Sequence, residues 1–167
     1  MSHIVFETNR LIVRQFEAGD GDAFFSINGD PEVMKYIRPA KTREACDQFL
    51  HEVLLLNREG FCLNRFAVVE KESGQFVGTF ALIPVGDSRD IQIGYAFLPK
   101  YWGLGFAKEL TRAGISYFFR ERKEDRLFAI SRSENESSHK VLLACGFREE
   151  RRYIENDQPL VSYVLYP

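Results

Sequence analysis

The segment Tyr101-Trp-Gly-Leu-Gly-Phe-Ala107 combines residue types and a spacing that could do chemistry. It follows an apolar, strand-like run and precedes an amphipathic one, so its glycines stand where a strand hands over to a helix. Glycine lets the backbone approach a ligand closely. The unpaired N–H groups of a helix's first turn, helped by its dipole, then make a seat for a phosphate or pyrophosphate. The same spacing also suits a tight turn with close helix-to-strand packing, and local spacing does not choose between the two.

Two phosphate motifs do not fit. A P-loop needs GxxxxGK(S/T), which is absent. A dinucleotide fingerprint needs GxGxxG, but after Gly103 and Gly105 the third glycine's place holds Lys108, and the preceding strand closes a meander rather than opening a βαβ unit.

The elements that position this segment are legible in the hydrophobic pattern. Leu11 to Phe16 reads as a strand, Asp22 to Gly29 as a helix, and Pro31 to Tyr36 as a further helical turn. Thr42 caps a longer helix with Ala45, Cys46, Phe49, Leu50, Val53 and Leu54 on one stripe, stopped by Gly60. Phe66–Glu70, Phe76–Ile83 and Ile91–Leu98 form a meander of three strands. Leu104 to Arg122 is an amphipathic helix, Leu127–Ile130 a short strand and Asn135 to Cys145 a short helix; Phe147–Ile154 and Leu160–Tyr166 make a closing hairpin. A strand-helix-strand crossover beside a meander requires a parallel, right-handed connection, so the expected fold is α+β. One domain spanning 1–167 is expected.

Composition sets the outer bounds. With 22 Lys+Arg against 24 Asp+Glu, a net charge of -2 argues against bulk nucleic-acid binding. Three scattered cysteines (Cys46, Cys62 and Cys145) cannot pair completely, which suits a reduced, cytoplasmic setting, and no membrane span is expected. No metal site is expected.

The Gly-x-Gly-x-Ala segment resembles the pyrophosphate loop of the GNAT acetyltransferases, whose signature Q/R-x-x-G-x-G/A follows the fourth strand. Trp102 stands in the Gln/Arg place, Gly105 in the Gly place and Ala107 in the closing small place. Asn135, Ser138, Val141, Leu142 and then Gly146-Phe147 are similar to the Asn-x-x-Ser and Gly-Phe helix of the subfamily of ribosomal-protein N-terminal (RimJ/RimL-like) acetyltransferases, and Glu7 to Arg14 resembles that subfamily's first strand. The resemblance implies a mixed, mostly antiparallel sheet of about seven strands with about four helices. It implies acetyl-CoA as cofactor and a primary amine, on a peptide or small molecule, as acceptor.

The resemblance also assigns roles. The pantetheine arm would bind the splayed strand end Tyr95, Ala96, Phe97 and Leu98, where a backbone N–H polarises the thioester carbonyl. Backbone donors of this kind contribute about 3 to 4 kcal/mol of barrier. The pyrophosphate would lie on the amides of Leu104, Gly105, Phe106 and Ala107, with Trp102 and Gly103 in the same cofactor-binding segment, Trp102 covering the loop or packing, and with Asn135 and Ser138 at the thiol end. Phe24, Phe25, Met34 and Tyr36 match the acceptor wall or serve as core.

The departures concern acid-base chemistry. The family's base, a Glu on the fourth strand, is replaced by Gln92, and its acid, a Tyr seven residues after the Asn, is replaced by Leu142. The catalytic set is therefore Gln92, Asp90 and Ser138, with Glu155 and His139 as further base candidates. An α-amine at about 7.7 to 8.0 is roughly a fifth to a third neutral near pH 7.4, against about one part in a thousand for lysine, so a low-pKa acceptor depends least on a base. The alternative is a non-catalytic acyl-CoA-binding module. A monomer or homodimer is expected.

Overall fold

The computed structural model describes residues 2–60 and 63–167; Cys62 lies outside them. Eight strands form one sheet in the order β1-β2-β3-β4-β5-β6-β8-β7. They are β1 (Ile4–Glu7), β2 (Leu11–Gln15), β3 (Asn64–Glu70), β4 (Phe76–Pro84), β5 (Ile91–Phe97), β6 (Leu127–Arg132), β7 (Arg148–Glu155) and β8 (Gln158–Leu165). Every neighbouring pair is antiparallel except β5 and β6, whose parallel pairing follows from the crossover between them.

Five α-helices accompany the sheet: α1 (Gly21–Asn28), α2 (Pro31–Met34), α3 (Arg43–Arg58), α4 (Phe106–Glu121) and α5 (Glu136–Ala144). The sheet thus has eight strands rather than about seven, and the helices are five rather than about four. The extra strand is β1, four residues long, which owes its place to Phe6 packing at 5.2 Å from Phe80 and 5.1 Å from Tyr117. A strand this short is fixed by tertiary contact, which local pattern does not carry. The extra helix is α2, one turn started by Pro31, with Asp30 accepting from the Glu32 and Val33 amides.

Period-two alternation divides the core. One face of the sheet, carrying Phe66, Val68, Phe80, Leu82, Ile91, Ile93, Phe97, Leu127, Ala129, Val161 and Tyr163, packs against Phe106, Leu110 and Phe118 of α4 and Leu142 of α5. Burying one such side chain fully contributes about 1.5 to 3 kcal/mol. The opposite face is covered by α1, α2 and α3 through Phe24, Cys46, Leu50 and Val53 against Ala67, and through Ile27, Val33 and Met34 against Ala96. Ala81, Gln92 and Gly94 lie on this second face near the sheet's centre and remain only half-buried. A central position left half-open marks a cleft. Among the described residues, no helix is long and apolar enough to cross a membrane.

Candidate active site

The parallel pairing of β5 with β6 consists of one register pair, Gln92 with Phe128. Both strands run on past it, to Phe97 and Arg132, without further pairing, so they diverge into a V. The Leu98 amide donates to the Val77 carbonyl, so alternation turns Ala96 and Leu98 toward β4 and the backbone groups of Tyr95 and Phe97 toward the open edge. The Trp102 indole N–H donates to the Phe97 carbonyl at 2.8 Å, although the side chain is 49% exposed. Trp102 thus satisfies one acceptor of the open edge from outside.

At the end of β5 a single 3-10 turn, Pro99–Tyr101, leads into the glycines. Gly103 and Gly105 have φ of 77° and 81°, the left-handed region that side chains rarely occupy. A Cβ added at Gly103 would meet nothing within 4 Å, and one at Gly105 would meet Arg10 Nη2 at 3.4 Å. Gly105 caps α4 with no side chain bonded to the first turn, which leaves those amides for a ligand.

Arg10, which the sequence did not single out, braces this loop. Its Nη1 donates to the Leu104 carbonyl at 2.8 Å, its Nε pairs with Glu109 at 2.7 Å, and its guanidinium lies 4.6 Å from the Phe106 ring centroid. Thr8 donates to Glu109 at 2.6 Å. Burial pushes the Glu109 carboxyl up, but Thr8 and Arg10 outweigh it and hold it below the usual range. The signal was faint: Arg10 is one more arginine near a chain terminus, and its partner lies 99 residues away.

The α5 wall carries Asn135 and Ser138. Asn135 is the N-cap, its Oδ1 accepting from the Ser138 amide at 3.3 Å and the Ser137 hydroxyl at 3.1 Å. The structure also places the Tyr95 phenol of β5 within electrostatic reach of Ser138. Burial drives that phenol up to about 12 against the opposing pull of Ser138, so it stays protonated at neutral pH. The sequence pointed to the backbone of Tyr95 and missed its side chain. Tyr95 and Ser138 therefore bring β5 and α5 together at this end of the site.

The base candidates are elsewhere engaged. Asp90 is held by Arg126 at 3.0 Å. His139 Nε2 lies 3.0 Å from the Ser133 carbonyl and Nδ1 2.5 Å from the Tyr163 hydroxyl; a carbonyl only accepts, so Nε2–H donates to it, and Nδ1 shares a hydrogen bond with Tyr163. Glu155 is exposed at the tip of the β7–β8 hairpin. Gln92 faces the cleft, its amide 3.4 Å from the Pro84 carbonyl. Phe24 and Met34 are core, whereas Phe25 and Tyr36 are half-buried. Cys145 is half-buried beside the Lys108 carbonyl, and burial pushes its thiol up.

Known proteins share this arrangement. Residues 10–148 match the acetyltransferase (GNAT) domain family. The uncharacterized N-acetyltransferase p20 of Bacillus licheniformis is 33% identical over 147 residues, covering 86% of this chain and 82% of that one. A GNAT-family acetyltransferase structure from Bacillus anthracis is 27% identical, superposes with a TM-score of 0.83 and covers 99% of this chain and 98% of that one. A ribosomal-protein-S5-alanine acetyltransferase from Vibrio fischeri, 20% identical, shares the fold with a TM-score of 0.80, covering 99% of this chain and 96% of that one. Of the two readings the sequence left open, an enzyme and a non-catalytic binding module, the family supports the enzyme. The V between β5 and β6, the glycine loop that ends it and the match over residues 10–148 lead to one conclusion: the chain belongs to the GNAT acetyltransferases and is an N-acetyltransferase that uses acetyl-CoA.

Proposed function

We propose that this enzyme transfers the acetyl group by direct attack of a neutral primary amine, without a carboxylate base at the Gln92 position of β5. The observation that carries the reading is the V opened by the lone Gln92–Phe128 pair, with the bare glycine-capped end of α4 at its mouth. Acetyl-CoA, when bound, supplies an acetyl thioester with a thiol leaving group. Of the strand end Tyr95, Ala96, Phe97 and Leu98, the main-chain groups of Tyr95 and the Phe97 amide face the open edge of β5 and are left to hold an extended amide-bearing arm. The amides of Gly103, Leu104, Gly105, Phe106 and Ala107 suit a pyrophosphate, with Trp102 over the approach and the Arg10 guanidinium nearby.

Ser138, backed by the protonated Tyr95, has a hydroxyl to offer the departing sulfur. Asn135 fixes the helix turn that carries it. Gln92 faces the cleft as a neutral amide, which can orient an amine but cannot take its proton. With Asp90, His139 and Glu155 engaged or remote, the incoming amine loses its proton to water before it attacks. A peptide α-amine or another low-pKa amine suits such a site far better than a lysine side chain.

The test is a pH–rate profile of acetyl transfer with peptide α-amine and lysine-type acceptors. The rate should follow the neutral fraction of each acceptor, rising through about 7.7 to 8.0 for an α-amine. An acidic limb common to both acceptors and shifted in Asp90→Asn would contradict the proposal by revealing an enzyme base.

A further inference from the structure

Arg38, Lys41 and Arg65 converge on the ring of Phe49, at 5.2, 5.4 and 4.8 Å from its centroid. None of the three has an ion pair with a carboxylate among the described residues. Arg38 gives Nη2 to Asn28 Oδ1 at 2.8 Å, yet its Nε is buried without a partner. The Arg65 guanidinium is brought down to about 10, first by burial and then by Arg38, while Glu52 pulls weakly the other way. Positive charges crowded together and half-buried without a counter-ion are costly, and a fold that keeps them invites an anion to complete the group.

The position of the group says which anion. Arg65 on β3 pairs with Ala81 on β4, and Ala81 pairs with Gly94 on β5, so the three share one cross-strand row on the face that carries Gln92. Ala81 and Gly94 are half-open and small, leaving space above the sheet between Arg65 and the V. Two strand spacings, about 10 Å, separate the backbone of Arg65 from that of β5. Arg65 thus stands two strands from the V, on the same sheet face as Gln92.

We propose that Arg38, Lys41 and Arg65 form the acceptor's anion site, and that the amine this enzyme acetylates carries a carboxylate or phosphate group. The inference rests on the acetyltransferase reading of the V but concerns the opposite side of the reacting carbonyl. It narrows the acceptor from any low-pKa amine to an anionic one.

Calorimetric titration of the CoA-saturated enzyme with inorganic phosphate and with glutarate, at fixed ionic strength, tests it. Saturating CoA blocks the glycine loop, so any anion bound must use another site. At least one of the two anions should bind with a millimolar or tighter Kd, weakened 10-fold or more in Arg65→Gln and in Arg38→Gln and unchanged in Arg89→Gln on the β4–β5 turn. Binding of phosphate alone assigns a phosphorylated amine; binding of glutarate alone assigns a carboxylate-bearing one. Binding of neither, or binding that survives both substitutions, overturns the proposal. The melting temperature of Arg65→Gln should equal or exceed that of the parent, because it relieves the crowding of half-buried positive charges, and Arg65→Lys should retain binding. Failure of CoA itself to bind would count against the reading of the V, while the same anion titrations without CoA would still report on Arg38 and Arg65.

Discussion

Gln92 faces the cleft at the one point where β5 and β6 still pair, which makes it the side chain best placed to receive an acceptor's proton if it could carry one. Gln92→Glu should therefore install a base: acetylation of a lysine-type amine near pH 7.5 should rise about 10-fold or more, and the pH–rate profile should gain an acidic limb that the parent lacks. An unchanged rate would show that proton removal does not limit the reaction at this position. The glycines of the loop could be read from sequence because left-handed backbone demands glycine. Arg10, Arg38 and Arg65 could not: each looks like an ordinary charged residue until the fold brings it to Glu109 or around Phe49.

Among the elements, α4 is the one whose seat fixes the ligand loop. A Cβ at Gly114 would lie 2.6 Å from Phe80 Cε2 and 3.1 Å from Ile93 Cδ1, so the helix rests on the sheet through bare backbone there. Gly114→Ala should destabilise the enzyme by about 1 to 3 kcal/mol in urea unfolding and weaken acetyl-CoA binding, as the displaced helix carries its N-terminus away.

The turn from β2 to α1 is held by Arg14, which gives two bonds to Asp20 at 2.7 and 2.9 Å. Burial raises the Asp20 carboxyl, but the Arg14 guanidinium and the Glu17 amide outweigh it and leave it lowered. A lowered carboxylate stabilises the fold above its unfolded pKa near 3.9, and that stability is lost as pH falls through the folded value. Asp20→Asn should therefore lower Tm at pH 7 and flatten its fall as pH drops below about 4. A fall as steep as the parent's would assign the acid sensitivity to another group.

The parallel β5–β6 pair was legible from the crossover that joins them, whereas its reduction to one register pair was not. Splaying depends on how α4 and α5 wedge beneath the two strands. β1 went unread for the same reason, since Phe6 acquires its meaning from Phe80 and Tyr117.

At the scale of the molecule, one sheet separates two jobs. The face under α4 and α5 seats the helix that presents the glycine loop, and the face under α1, α2 and α3 leaves Ala81, Gln92 and Gly94 half-open beside a cationic group. On the proposed assignments, donor and acceptor approach the V from different sides. The order of elements, the mixed sheet and the glycine loop followed from periodicity and turn chemistry. The proposed acceptor side did not, because its residues come from the α2–α3 connection, α3, β3 and β5 and meet only in the fold. The claim on which all of this depends is that the V and its glycine loop hold the donor. Titrating the enzyme with acetyl-CoA, CoA and NADH, and repeating the series with Gly105→Glu, addresses it directly. The account predicts selective micromolar binding of the two CoA species, weakened on the order of 100-fold in a variant whose circular dichroism matches the parent's, because a carboxylate then occupies the anion seat. Binding of CoA unchanged in Gly105→Glu, or no binding of either CoA species to the parent, would contradict it.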